Sequence, residues 1–488
     1  MSDDLSDSLT KLALNVIETA YGIRSGNEIA PEREVLDRWK VSGFRYSDKG
    51  VSYDQARGER IVRLTWDKAA SRIEELVKKS PQYDLALQQL VNTFGKPKES
   101  QQALDRFVQR LVVEYLHRHE SAGIDQDKIV EGFLKDIRGE PVRCGAAVEL
   151  DGVVLRPDRV EISQGIVLRK TAIEDLEKPF LMFMSLRGPF LRTPSAILDM
   201  ELFGRPGIEV QKRVHLAIVI LRLFRVGSVG YQQYCMYTDS IIEMLGRGTL
   251  VFSGEIRATN DTYLITEQDV PILVRFWQAT YCVIPPSLIG LSPEPTARDD
   301  HLAIAYNRYS DASLHDGIPE RRIMNGVMGL EALFLKSGEK DELAYRLGLR
   351  VSKLLGLLGY GSNVVRHVIS DSYKVRNSFV HGGYPSEKDM KRLRTKYQDI
   401  KNLLQLLLDY LRASMVVMIL SNRKKKELVN LLDASLVDGE KEKLLKNAVS
   451  SAGEVLVVDE RSRLLEREVK THQEYAGNHD RSEDKEHT

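Results

Sequence analysis

The chain has 488 residues, 42% hydrophobic and 29% charged, with Lys+Arg and Asp+Glu balanced at 70 each. That length exceeds one ordinary core, so two or three domains are expected, and the composition excludes a fibrous or wholly disordered protein. With no net charge, no global field draws the chain to nucleic acid or membrane, so any RNA or DNA contact has to come from a local patch.

The N-terminus, MSDDLSDSLTKLALN, is acidic and lacks a basic segment leading into an apolar run, which argues against a signal peptide. No apolar stretch reaches the ~20 residues of a membrane helix. Residues 402–420 come nearest, and Asp409 and Arg412 interrupt them. Cys144, Cys235 and Cys282 are far apart and odd in number, with neither zinc-ligand spacing nor a disulfide framework. Core positions in a protein of the reducing cytoplasm are their simplest use.

Residues 1–140 read as mostly helical, with apolar residues at three- and four-residue steps in 66–80 and 103–119. His117 and His119 sit two apart and would face different sides of a helix, which argues against a metal site. From 141 to about 290 the texture is that of an α+β middle domain. Segment 143–170 is β-branched and alternating, broken by Asp-Gly and Gln-Gly pairs, and reads as consecutive hairpins. Further strands are expected near 178–186, 196–204 and 248–258, with a helix at 209–224. Glycines in 246–255 lack the spacing of a phosphate cradle, and no cofactor motif stands out. Pro285, Pro286, Pro293 and Pro295 mark a boundary.

Four amphipathic helices follow within residues 300–420 and predict an all-α, four-helix-type bundle. The first (320–336) aligns Met324, Val327, Glu331 and Phe334. The second (341–359) aligns Ala344, Leu347, Val351, Leu354 and Leu358. The third is 363–381. The fourth is one long helix from Ser386, with Asp389 in capping-box spacing, to about 420. The tail, 421–488, opens with Arg423, Lys424, Lys425 and Lys426, holds one more helix to about 450, and ends in a charged stretch expected to be disordered. The basic run is either a grip on RNA phosphates or a solvated run favouring a helix C-terminus.

The third helix ends in KVRNSFVHGG (374–383). Arg376 falls on the apolar stripe of Val365 and Ile369, so its guanidinium needs a carboxylate, a phosphate or a wet cleft. Glu331 has the mirror problem, and a pair with Arg376 or with Arg346 solves both; a purely structural ion pair explains it equally well. His381 lies ~140° from Arg376 around a continuous helix. The two converge if the chain leaves the helix near His381, for which Gly382-Gly383 supplies an exit, or if a second copy approaches. Asn377, four residues before His381, is placed to fix its tautomer. A histidine to move protons beside a permanent cation suits phosphodiester cleavage, and no metal is required. Spacing alone is weak. An arginine and a histidine with four to six residues between them occur five times, at Arg376/His381, Arg467/His472, Arg308/His315, Arg110/His117 and Arg481/His487.

A bundle whose third helix ends in Arg-Asn-x-x-x-His-Gly-Gly resembles the HEPN superfamily, in particular its Apea-like branch. The resemblance includes GLEALFL (329–335) and ELAYRLGLRVSKLLG (342–356) and spans about 140–420. It implies a metal-independent endoribonuclease site at Arg376, Asn377 and His381, assembled between two copies. Cleavage by the RNA 2′-hydroxyl would leave a 2′,3′-cyclic phosphate and a 5′-hydroxyl. Such proteins are commonly toxins or anti-phage effectors, while others keep the fold for dimerisation or nucleotide binding without cleavage. In the nuclease reading, the region before the bundle would sense a trigger or restrain the enzyme.

Overall fold

A computed structural model of the chain describes residues 2–26, 29–117, 126–177, 194–204, 208–242, 249–252, 262–289, 300–315, 317–421 and 423–483. The N-terminal elements are α1 (Ser2–Ser25), β1 (Glu32–Ser42), β2 (Arg45–Ser47), β3 (Gly50–Ser52), β4 (Gln55–Thr65), α2 (Asp67–Lys78), α3 (Pro81–Phe94), α4 (Pro97–His117) and α5 (Gln126–Ile137). Then come β5 (Val142–Asp151), β6 (Val153–Leu155), β7 (Arg159–Ser163), β8 (Ile166–Lys170), α6 (Ile173–Leu176), β9 (Ala196–Gly204), α7 (Ile208–Phe224), β10 (Gly230–Thr238), β11 (Thr249–Phe252), β12 (Tyr263–Ile265) and α8 (Val270–Thr280). The rest is helical: α9 (His301–Leu314), α10 (Pro319–Phe334), α11 (Leu343–Gly356), α12 (Ser362–Val380), α13 (Glu387–Tyr397), α14 (Ile400–Leu420), α15 (Lys425–Ala434), α16 (Gly439–Val455) and α17 (Glu460–Glu483). The chain is therefore α+β and divides into two compact units.

The first unit holds residues 1–149, 164–213 and 231–253. Leu5, Leu9, Leu12, Val16 and Ala20 form one stripe of α1, against which Ile73, Leu90, Phe107, Leu111 and Phe133 of the next four helices are buried. In its sheet β11, β10, β5, β9 and β8 lie in that order, with β8–β9 and β10–β11 antiparallel. The long antiparallel ribbon of β1 and β4 was not legible in the sequence. Charged residues occupy both of its faces, so the two-residue hydrophobic alternation that marks a strand is weak.

The second unit holds residues 150–163, 214–230 and 254–488. Here the reading of consecutive hairpins needs correction at the Asp-Gly pair: β6 pairs in parallel with β12, not with β5, whereas β7 and β8, joined at the Gln-Gly pair, are hydrogen-bonded neighbours. At the Asp-Gly pair, Gly152 has φ +84°, and a Cβ there would sit 2.5 Å from the Ser228 carbonyl oxygen, so this glycine serves a close approach rather than a hairpin turn. Strand 196–204 and the helix near 209–224 appear as expected, whereas the segment near 178–186 and most of 248–258 lie outside the described residues. Cys144 is buried but Cys235 and Cys282 are exposed, so only one of the three thiols is in the core.

Helix α14 is the axis of the C-terminal helical region. It is the one described helix long and apolar enough to cross a membrane, and 89% of its apolar window is buried inside the protein. The fourth predicted helix is in fact two, α13 and α14. Gln398 takes φ +61° between them, the Asp399 carboxylate accepts from Lys401 N–H at 3.0 Å, and the Asn402 amide donates to the Tyr397 carbonyl at 2.9 Å. Local side-chain bonds of this kind outcompete helix continuation. Ser386 caps α13 by accepting from Asp389 N–H at 3.1 Å, while its hydroxyl donates to the Asp389 carboxylate at 2.6 Å. The tail is also corrected: it contains α15, α16 and α17, and the expected disordered end is helical to Glu483. Leu465 and Val469 of α17 are buried, and Glu466 accepts from Tyr410 at 2.6 Å.

Arg350, almost fully buried on α11, donates to the Phe334 carbonyl at 2.8 Å, to Glu339 at 2.7 and 2.8 Å, and to Asp433 of α15 at 2.7 and 2.9 Å. Its hydrogen bonds hold the Glu339 carboxyl down at about 2, against an ordinary 4.5. A carboxyl depressed by folding adds stability above its ordinary value and loses that contribution as pH falls through its folded value. Urea unfolding midpoints are therefore expected to fall as pH drops from about 4.5 towards about 2, and Glu339→Gln should flatten that limb. An equally steep decline in Glu339→Gln would assign the acid sensitivity to other carboxyls.

Candidate active site

Helix α12 buries Val365, Val368 and Ile369, and the same stripe arrives at Arg376 near its end. The arginine finds the carboxylate that this position demands. Its Nη2 lies 3.5 Å from Glu331 Oε2, with 24% of the Arg376 side chain and 17% of the Glu331 side chain exposed. Glu331 is on the shoulder of α10 rather than its apolar face, since Ile323, Val327, Leu330 and Phe334 make the buried stripe. Arg346 does not join them; it pairs with Glu339 at 3.3 Å.

Arg376 Nη1 donates to Asn377 Oδ1 at 3.1 Å, and its guanidinium stands 5.4 Å from the Tyr373 ring centroid. Its Nε is buried and has no hydrogen-bond partner among the described residues. The role expected of Asn377 is thereby corrected: its carbonyl oxygen steadies the arginine, and no hydrogen bond joins it to the His381 ring among the described residues. Tyr373 is a site residue that sequence reasoning missed. Burial first, and then the nearby Glu331 carboxylate, push its phenol up to about 12. Its position three residues before Arg376 on one helix face was the available signal.

His381 is exposed, and its ring makes no ion pair or hydrogen bond among the described residues. It is the cap of α12: its N–H still bonds the Asn377 carbonyl at 3.1 Å, while its own backbone, at φ −82° and ψ 15°, has left the helical region. Gly382 takes φ +79°, its N–H bonds the Phe379 carbonyl at 3.1 Å, and Gly383 N–H bonds the Ser378 carbonyl at 3.0 Å. This Schellman end leaves the helical angle between Arg376 and His381 intact at ~140°. Among the described residues no hydrogen bond or ion pair joins the Arg376 and His381 side chains; those of Arg376 go to Asn377 and Glu331.

Beside them lies a basic cluster that the sequence did not single out. The buried Asp371 carboxylate of α12 accepts from Lys396 at 2.8 Å and from the Tyr397 hydroxyl at 2.9 Å, with Arg392 at 3.5 Å and Lys374 at 4.0 Å. The 423–426 run is not uniformly free: Lys425 donates to the Ala332 carbonyl near the end of α10 at 2.6 Å. Burial and the nearby Arg350 cation lower its ammonium pKa. Arg423, Lys424 and Lys426 are exposed. Of the other Arg/His spacings, Arg308 and His315 both approach Asp311, at 3.8 and 3.7 Å, and Arg110 pairs with Glu114 at 3.0 Å. Among the described residues no group of three or more His, Cys, Asp or Glu side chains is arranged to hold a metal; Arg118 and His119 lie outside them. Comparison of the chain with protein-family models, curated proteins and solved structures returns no match.

Proposed function

We propose that the C-terminal helical region is a metal-independent, HEPN-type endoribonuclease, completed by a second copy of the chain and acting in the reducing cytoplasm. The observation that carries this reading is an exposed imidazole at a rigidly capped helix end, one and a half turns beyond a partly exposed guanidinium that faces elsewhere. Two copies facing each other would set the arginine of one against the histidine of the other. The RNA 2′-oxygen then attacks phosphorus and the bond to the 5′-oxygen breaks, leaving a 2′,3′-cyclic phosphate and a 5′-hydroxyl. His381 moves the proton, Arg376 stabilises charge on the phosphoryl oxygens, and Asn377 holds the arginine fork in place. The preceding region would restrain the nuclease or sense its trigger, as in a toxin or anti-phage effector.

A second reading, a non-catalytic dimerisation or nucleotide-binding scaffold, is favoured by the 3.5 Å approach of Arg376 to Glu331. Incubating a mixed RNA pool with wild-type protein and with His381→Ala in EDTA, and mapping the product ends, separates the two. Cyclic-phosphate ends that vanish in the variant support the nuclease. Equal cleavage by both proteins removes His381 from the chemistry, and absence of cleavage from either, even with the trigger region deleted, leaves the scaffold.

A further inference from the structure

Resting on the ribonuclease reading, we propose that the turn at 382–385 and helix α13 form the track that holds single-stranded RNA beside His381. In this track Tyr384 stacks a base, and Lys388, Lys391 and Arg392 take phosphates. The chain as a whole is neutral, so a nucleic-acid partner requires a local field, and this end of the protein has one. Leu393 and Tyr397 point α13 into the protein. The opposite side carries Lys388, Lys391 and Arg392 at three- and four-residue steps, which keeps them on one outward stripe. Lys388, Lys391 and Arg394 are exposed and make no ion pair with a carboxylate among the described residues. Arg392 lies between Asp371 at 3.5 Å and Asp389 at 3.6 Å, and Lys374 and Lys396 share Asp371. Three cations therefore face two carboxylates there, while Lys388, Lys391 and Arg394 add uncompensated charge. Positive charge is left over for a polyanion.

Tyr384 adds what a bare basic patch lacks. It is 68% exposed and touches Phe379 in an edge arrangement, with ring centroids 6.4 Å apart. Pro385 behind it is buried and restricts the Tyr384 backbone to an extended conformation. An exposed aromatic ring on a stiff turn, next to a stripe of cations, is the pairing by which proteins hold single strands: stacking for the bases, ammonium and guanidinium groups for the backbone. The outward stripe bears no large apolar side chain that would suit a protein groove or a lipid surface. The 423–426 run is a poorer candidate, because Lys425 is committed to the end of α10.

The test uses the full chain carrying His381→Ala, so that RNA stays intact, and fluorescence anisotropy with a single-stranded RNA of about 20 nucleotides. Adding Tyr384→Ala is expected to weaken binding about fivefold or more. Adding Lys388→Gln with Lys391→Gln should lower the slope of log affinity against log salt by about 1.4, at ~0.7 for each phosphate no longer neutralised. If the parent binds and neither change alters affinity or slope, the track is overturned; cleavage by wild type in EDTA would then leave the ribonuclease reading standing. Conversely, binding abolished in these variants, with no cleavage by wild type, keeps the track and overturns catalysis. A parent without RNA affinity overturns the track outright, and a duplex that competes as well as single strands overturns the stacking role of Tyr384.

Discussion

An equimolar mixture of His381→Ala and Arg376→Ala chains is expected to cleave RNA at about a quarter of the wild-type rate, although each variant alone is slowed ~10²-fold or more. The reason is angular. Helix α12 runs to Val380 and the His381 N–H still makes a helical bond to the Asn377 carbonyl, which places the arginine and histidine of one copy ~140° apart around the helix. A site built from Arg376 of one copy and His381 of the other is intact once in each mixed dimer and nowhere in either parental dimer. Half the dimers are mixed, and each retains one of two sites. Cleavage by the mixture no faster than by the separate variants would place both residues in one chain's site and refute the shared arrangement. His381 is exposed, so His381→Ala should keep the wild-type unfolding midpoint, whereas Arg376→Ala removes the countercharge of Glu331 and should lower it; assaying at a temperature where both variants are fully folded is the control.

Arg412→Ala is expected to lower the stability of the C-terminal unit by about 3–5 kcal/mol, measured by urea unfolding. Arg412 and Asp409 are both 0% exposed, on the helix whose composition otherwise resembles a membrane span. The guanidinium donates to Asp409 at 2.6 and 2.9 Å, to the Leu223 and Phe224 carbonyls at 2.9 Å each, and to the Val457 carbonyl at 2.6 Å. Tyr360 donates to the other Asp409 oxygen at 3.2 Å. Removing the arginine strands a buried carboxylate and three carbonyls, which is the costly way to break such a pair. Replacing both partners at once, as Asp409→Leu with Arg412→Met, should recover much of the loss, because the desolvation of two charges disappears with them. A single Arg412→Ala change costing under about 1 kcal/mol would mean that water reaches the pair and satisfies it.

The candidate site was legible in proportion to how local its determinants are. That Arg376 returns to the Val365 and Ile369 stripe follows from helical repeat alone, as does its need for a countercharge. The glycine pair after His381 likewise announces a helix end. The partner could not be chosen that way. Arg376 and Arg346 stood equally open as the partner of Glu331 until packing set α10 beside the end of α12 and gave Arg346 to Glu339. Tyr373 went unread because a tyrosine on an apolar stripe looks like core, and only the neighbouring helix brings the Glu331 carboxylate near its hydroxyl.

By itself, then, the sequence determined the helix periods of the C-terminal region and the angular separation of Arg376 from His381 along α12, since each depends on residues within a few turns of one another; the boundary expected at 285–295 instead falls inside the second unit. The tertiary structure alone decided the parallel pairing of β6 with β12, the division of the last long helix at Gln398, the docking of the tail, and the convergence of Lys374, Arg392 and Lys396 on Asp371. Each of those joins groups distant along the chain, and their placement depends on how whole elements pack, which no local pattern of residues encodes.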